Sequence, residues 1–212
     1  MNKKILVALL SFGFIGVSSN SFAKSKTFTL DTDHSSVEFK IRHLVGKVKG
    51  TFAATEGKIE FDADKADKFK VSGKLDAASV NTGIQKRDDH LKSPDFFDVN
   101  NTNTQFKSIA FESSKFTNVV TTADETKGQL EGKITIHGVT KPITLDVTIH
   151  GKPMLDPWGN ERMAVSATGR LNRKDFGLTW NKAVETGGFV VGDDVDLELE
   201  VEAIAKPDAK KK

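Results

Sequence analysis

Apolar and polar residues alternate one for one along five long stretches of this chain, and that period dictates extended strands with one buried face. Val37, Phe39 and Ile41 alternate with Glu38, Lys40 and Arg42. Val71, Gly73, Leu75 and Ala77 alternate with Ser72, Lys74 and Asp76. Ile134 and Ile136 alternate with Lys133 and Thr135, and Ile143, Leu145, Val147 and Ile149 with Thr144, Asp146, Thr148 and His150. Val195, Leu197, Leu199 and Val201 alternate with Asp196, Glu198, Glu200 and Glu202. Shorter candidates cover 27–31, 47–53, 57–63, 104–112, 114–121 and 162–171. Turn residues separate most of them, among them Glu56-Gly57, Gly138, Gly151 and Asp156-Pro157. So many one-sided strands predict an all-β fold: an antiparallel sheet that curls or closes around its apolar face. No long alternation of strand and helix appears, which argues against a parallel-sheet enzyme fold.

One stretch departs from period two. Residues 84–93 are mostly good helix formers, and Pro94 closes them. Ile84, Arg87 and Leu91 share a face at spacings of three and four. The segment reads as one short helix inserted in the strand array, placed to plug or cover one end of a barrel.

The N-terminus reads as an address. Lys3 and Lys4 precede Ile5–Val17, a 13-residue run without charge, and Ser21 and Ala23 are the small residues of a peptidase site. As a helix that run rises about 20 Å, short of the roughly 30 Å hydrocarbon core. The expectation is a signal peptide, residues 1–23, cleaved after Ala23. The mature chain is then exported, with one domain over 24–205, a disordered basic tail at 206–212 and no integral membrane span. With 31 Lys+Arg against 29 Asp+Glu the net charge is only +2, so no bulk field favours nucleic acid or an anionic membrane. The absence of cysteine excludes disulfides, thiolate metal sites and a cysteine nucleophile.

Reactive chemistry is sparse. The five histidines fall in no H-x-x-x-H or H-E-x-x-H spacing. His137 and His150 precede glycines at strand ends and read as hairpin or surface residues. His34, His43 and His90 could converge at one barrel mouth, but their spacing gives a metal site no support, so no metal is expected. Asp88-Asp89 and Asp193-Asp194 are adjacent carboxylates that point in different directions, and a solvated face is the better reading. Asp175-Phe176-Gly177 matches a kinase magnesium motif by chance, since the other kinase parts, a P-loop, G-x-G-x-x-G and G-x-S-x-G are all missing.

The interior carries the remaining information. Twelve of the 15 phenylalanines follow Ala23, and tyrosine is absent. Inward positions at Gly73, Ala77, Gly132, Ala167, Gly169 and Ala203 are small, leaving room that phenylalanines wall in. A closed sheet of about eight strands holds either a side-chain core or one small ligand. Composition alone leaves both open.

Four blocks of residues break that tie. Leu30-Asp-Thr-Asp-His-Ser-Ser-Val-Glu-Phe39 with Ile41-Arg-His43 opens the series. Arg87-Asp-Asp-His-Leu-Lys-Ser-Pro-Asp-Phe-Phe-Asp98, Gly132-Lys-Ile-Thr-Ile-His-Gly-Val-Thr-Lys-Pro142 and Asn172-Arg-Lys-Asp-Phe-Gly177 follow. Together they resemble the YceI-like proteins, also called the UPF0312 family, over nearly all of 27–205. Departures from the usual residues are small, such as Asp89 and Lys92 inside the second block.

The resemblance implies an extended, lipocalin-like, antiparallel eight-stranded β-barrel with a short helical insertion. It implies a periplasmic protein that holds a long-chain isoprenoid, a polyprenyl or quinone-type lipid, or a similar amphiphilic lipid, with no other cofactor. It carries over no catalytic residue, so the chain is expected not to be an enzyme. Strand alternation then assigns the tunnel wall to Val37, Phe39, Ile41, Phe52, Leu75, Ile134, Ile136, Leu145, Val147, Val165, Leu197 and Leu199. A one-residue register slip would turn that whole set outward. At the mouth, Arg87, His90, Leu91, Phe96 and Phe97 would close or line the opening, and Asp33, His34 and His43 would orient a head group. The plainer alternative has Phe96 and Phe97 only pinning the helix and Arg87 only pairing with a carboxylate. An enzyme acting on the lipid, or a stress-related binding protein with an incidental ligand, are the competing function classes. Edge strands leave room for a homodimer.

Overall fold

The computed structural model describes residues 25–185 and 188–205. The expected leader, 1–23, and basic tail, 206–212, lie outside the described residues.

Nine strands form one antiparallel sheet. They are β1 (Lys26–His43), β2 (Gly46–Phe52), β3 (Ala54–Phe61), β4 (Lys70–Asp76), β5 (Ser108–Thr121), β6 (Glu125–Ile136), β7 (Val139–Leu155), β8 (Glu161–Asn172) and β9 (Val191–Ala205). β2 and β3 both pair with β1, Val37 opposite Phe52 and Thr29 opposite Lys58, so they are two halves of one staggered strand interrupted at Ala53. Counted that way the sheet has eight strands, and β9 pairs back onto β1 to close it into a barrel. Closure pairs the last strand with the first, and among the described residues the outer side of β2 keeps only an isolated bridge from Thr51 to Asn81.

Alternation sets the register. Leu130 faces Leu145 across β6 and β7, Ile149 faces Val165 across β7 and β8, and Val37 and Phe39 face Leu199 and Leu197 across the closing seam. Each pair puts its apolar side chains inside and its charged neighbours outside.

Two local features were hidden from the sequence pattern. The separate stretches at 27–31 and 37–41 are one 18-residue strand, carried through a bulge in which Asp31 to Ser36 opposes Glu202 to Glu200. The predicted strands at 104–112 and 114–121 are a 3₁₀ turn, Thr104–Lys107, followed by one strand. That strand has register shifts after Ser113 and Thr117, and Asn118 takes a left-handed φ of 53°. Helix α1 covers Gln85–Lys92, inside the predicted span.

The two ends of the barrel differ. One end carries the β1–β2 turn, α1 and the segment to Lys107, the His137-Gly138 turn and the link from β8 to β9. The other carries the β3–β4, β5–β6 and β7–β8 connections. His137 and Gly138 both have positive φ, 50° and 76°, as a two-residue hairpin of the primed type requires. No described helix is long and apolar enough to cross a membrane.

Candidate ligand cavity

The barrel encloses a cavity of about 600 Å³. That is within the range of cavities that hold a small organic ligand. All twelve wall residues named from strand alternation line it. Further apolar residues complete the wall, including Ile59, Phe69, Val71, Ile109, Phe111, Leu130 and Ile143. Phe69 and Phe111 escaped the sequence reading because no clean alternation surrounds them.

A phenylalanine cluster closes the lower end. Phe28, Phe61, Phe69 and Phe116 are all buried. The Phe61 and Phe69 rings lie 6.2 Å apart edge to face, and Phe69 and Phe116 lie 5.2 Å apart. Of these only Phe69 reaches the cavity, so the cluster is its floor.

The small inward residues act differently from expectation. A side chain at Gly132 would meet the Phe111 ring at 2.7 Å, and one at Gly169 would meet Leu145 Cδ2 at 2.5 Å. Their space is taken by large neighbours folded over them rather than left open. Ala77 and Ala203 are packed away from the cavity. Gly73 and Ala167 do line it.

The upper end is a lid of two layers. Helix α1 contributes Arg87, His90 and Leu91, and the turn after it contributes Phe96 and Phe97. Phe97 packs edge to face on Phe52 at 5.5 Å, and Phe52 lies 5.4 Å from Phe39, so an aromatic chain runs from wall to lid. The second layer is the β8–β9 link. Trp180 lies 4.8 Å from His90 and 5.3 Å from Phe96. Phe96 and Phe97 therefore both pin the lid and line the cavity, joining the two roles that the sequence set against each other.

Buried polar groups fix the lid. Asp88 is buried, not solvated, and its carboxylate accepts from the Thr82 N–H and hydroxyl. Arg87 Nε donates to Thr82 Oγ1 at 2.7 Å and Nη2 to Thr82 O at 3.0 Å, in place of the carboxylate partner considered from sequence. His90 Nε2 stands 2.8 Å from Asp95 Oδ2.

Arg173 is the lid residue that sequence reasoning missed. It lies in a 3₁₀ turn, Arg173–Phe176, ended by Gly177 at φ 78°. Its buried guanidinium donates to Gly192 O at 2.8 Å, to Trp180 O at 2.9 Å and to Leu178 O, with Asp193 at 3.4 Å. Burial pulls its pKa below the ordinary range, partly countered by Asp193. The available signal was an arginine between a strand end and Asp175-Phe176-Gly177, which the resemblance marked without a role. Phe176, Leu178 and Trp180 line the cavity from the same link.

Two expected mouth residues lie elsewhere. His43 borders the cavity, but Asp33 and His34 sit exposed on the β1 bulge. Seven extended residues separate Ser36 from His43, roughly 23 Å of strand. The bulge itself turns residues 32–34 out of the wall. The three histidines therefore do not converge. Instead His34 Nδ1 lies 2.9 Å from Asp31 Oδ2, and Asp31, His34 and Glu202 form the one metal-capable cluster among the described residues. Arg162 occupies that cluster electrostatically. Its Nη1 donates to Asp31 at 2.5 Å and to Glu202 at 2.7 Å. The arginine hydrogen bond holds the Asp31 carboxyl below its usual range.

The other histidines are structural or superficial. His137 stacks on Phe106 at 3.9 Å in its hairpin turn, and His150 lies 2.6 Å from Ser166 on the outer face.

Comparison with known proteins agrees with this architecture. A family model described as "YceI-like domain" matches residues 28–203. UPF0312 protein SA2479 of Staphylococcus aureus strain N315 is 37% identical over 176 residues, 82% of this chain and 95% of that protein. The crystal structure of the Campylobacter jejuni YCEI protein aligns with a TM-score of 0.60 at 29% identity, over 93% of this chain and 99% of that one. A domain from Saccharophagus degradans described as polyisoprenoid binding aligns with a TM-score of 0.59 over 86% of this chain and 99% of that one. At 14% identity it shares the fold alone.

Proposed function

The chain belongs to the YceI-like family, and from that premise we propose that it is a periplasmic carrier or buffer holding the apolar chain of an isoprenoid lipid in its barrel. The observation that carries the proposal is the cavity itself: about 600 Å³, walled by aliphatic and aromatic side chains and closed below by phenylalanines. At the lid end His43, Arg87, His90 and Arg173 border the cavity. Such a space suits a long hydrocarbon with a polar group at one end. Each buried CH₂-sized unit contributes about 0.8 kcal/mol before ordering costs, so chain length can supply affinity without strong polar contacts. The ligand class is supported by the description of one barrel neighbour, and the compartment by the N-terminal leader pattern.

Mass spectrometry of an organic extract tests the proposal, using mature protein isolated without detergent. A stoichiometric polyprenyl or quinone species is the expected result. A clean extract, from protein that also takes up no added polyprenol, would refute lipid carriage and return the enzyme or structural readings.

A further inference from the structure

We propose that the lid end of the barrel is a membrane-docking face, which seats the cavity mouth on a phospholipid bilayer so that cargo passes without crossing water. Four large apolar side chains stand exposed at this end, on three separate loops. They are Leu44 and Val45 on the β1–β2 turn, Ile84 at the start of α1, and Phe189 before β9. Val45 is fully exposed, and Ile84 and Phe189 are about half exposed at 54% and 51%.

These loops surround one opening. Leu44 N–H donates to Val190 O at 2.9 Å, joining the β1–β2 turn to the β8–β9 link. His43, Ile84, Val190 and Val191, which adjoin or belong to the exposed set, all line the cavity. The apolar wall therefore continues from the interior out to solvent across the rim. Exposed apolar side chains gathered around a cavity rim mark a surface that meets a membrane or a protein.

What covers them follows from the cargo and from the rim's charges. Arg42, Lys47 and Lys86 flank the exposed residues, and Lys174 Nζ lies 5.7 Å above the Phe189 ring. Lys47 and Lys174 are shared with Asp196 and Asp193, and Asp89 and Glu185 stand nearby. These four cations are matched by four carboxylates, so the rim is near neutral and its apolar side chains must supply the affinity. Insertion of apolar side chains below the headgroups is how such a surface binds lipid. The whole chain's net charge of +2 supplies no long-range attraction, so the local rim must act.

The opposite end provides an internal control. Trp158 there is 79% exposed, with Met154 and Leu155 on the same hairpin. The phenylalanine floor separates that end from the cavity, so docking there would deliver nothing.

The inference rests on the carrier reading, but vesicle flotation tests it separately. Mature protein is mixed with vesicles of phosphatidylcholine and phosphatidylglycerol in equal parts, with no cargo. The wild type is expected to float with the vesicles. The triple variant Leu44→Asp, Val45→Asp, Phe189→Asp is expected to lose at least about tenfold in vesicle affinity. Uptake of detergent-dispersed polyprenol by that variant should stay unchanged, since none of the three lines the cavity. Trp158→Asp should float like wild type. Docking is overturned if wild type does not float, if the triple variant floats equally, or if only Trp158→Asp loses binding. If flotation follows the rim while polyprenol is never taken up, docking stands and the carrier reading falls. If polyprenol binds while the rim variants float normally, the reverse holds.

Discussion

Asp88 Oδ1 accepts two hydrogen bonds from a single residue, Thr82: one from its N–H at 2.8 Å and one from its hydroxyl at 2.5 Å. Arg87 takes the same hydroxyl oxygen and the Thr82 carbonyl. Ile84, the residue that precedes α1, has no side chain able to cap the helix. Asp88 and Arg87 instead reach back from the helix to Thr82, two residues before Ile84, and tie the chain that enters α1 to the helix over the cavity.

Asp88→Ala leaves the Thr82 N–H and hydroxyl without their buried acceptor. The expected loss is about 1–3 kcal/mol of unfolding free energy, measured by urea denaturation. Asp88→Asn keeps an acceptor oxygen and should recover part of it. Equal losses in the two variants would contradict the assigned contact.

Arg173→Leu strands the buried carbonyls of Leu178 and Gly192 and the half-buried one of Trp180. A destabilisation of roughly 2–5 kcal/mol is expected. Arg173→Lys should not rescue it, because one ammonium cannot reproduce the planar fork that reaches all three. Thermal melts of both variants decide the point.

Gly132→Ala and Gly169→Ala separate two kinds of crowding. A Cβ at Gly132 would stand 2.6 Å from the Glu112 carbonyl oxygen, which is backbone and cannot move away. At Gly169 the obstacle is the end of the Leu145 side chain. Gly132→Ala should cost about 1–3 kcal/mol and Gly169→Ala less. Chemical denaturation giving the opposite order would mean that the Leu145 packing is the more rigid of the two.

Asp31 makes a prediction about acid. Its folded pKa is depressed by Arg162, so its stabilising contribution is present above the ordinary value near 3.9 and is lost as pH falls through the depressed value. The difference in Tm between wild type and Asp31→Asn should therefore shrink as pH falls below about 4. A difference that keeps growing below about pH 4 would refute the ion pair as its source.

Trp180 reports on the cavity. It lines the lid, whereas Trp158, the other tryptophan, is exposed at the far end. In a Trp158→Phe background, polyprenol should shift Trp180 emission. At about 100 times its Kd the ligand should also raise unfolding free energy by about 2.7 kcal/mol. Ala167→Phe puts a ring into the cavity from β8 and should abolish both responses while leaving the protein folded. A full response from that variant would place the ligand elsewhere.

The sequence by itself determined which segments are strands and which face of each is buried. Alternation is a local property, and a period of two puts Val37, Phe39 and Ile41 on one side whatever lies opposite. That is why the wall residues could be named directly, and why residues 84–93 stood out as helical. Tertiary structure alone decided what lies across from each residue. Gly132 and Gly169 carry no local sign that Phe111 and Leu145 fold over them, because that packing depends on strand register. Asp33 and His34 sit within a few residues of wall positions, yet a bulge opposite β9 turns them outward. Asp88 looks solvated in an acidic pair until Thr82 is brought against it, and Arg173 becomes a lid anchor only when the β8–β9 link wraps its carbonyls around the guanidinium. Local periodicity specifies burial, whereas partners for polar groups and the space left inside the barrel depend on closure, which joins β1 to β9 across more than 150 residues of chain.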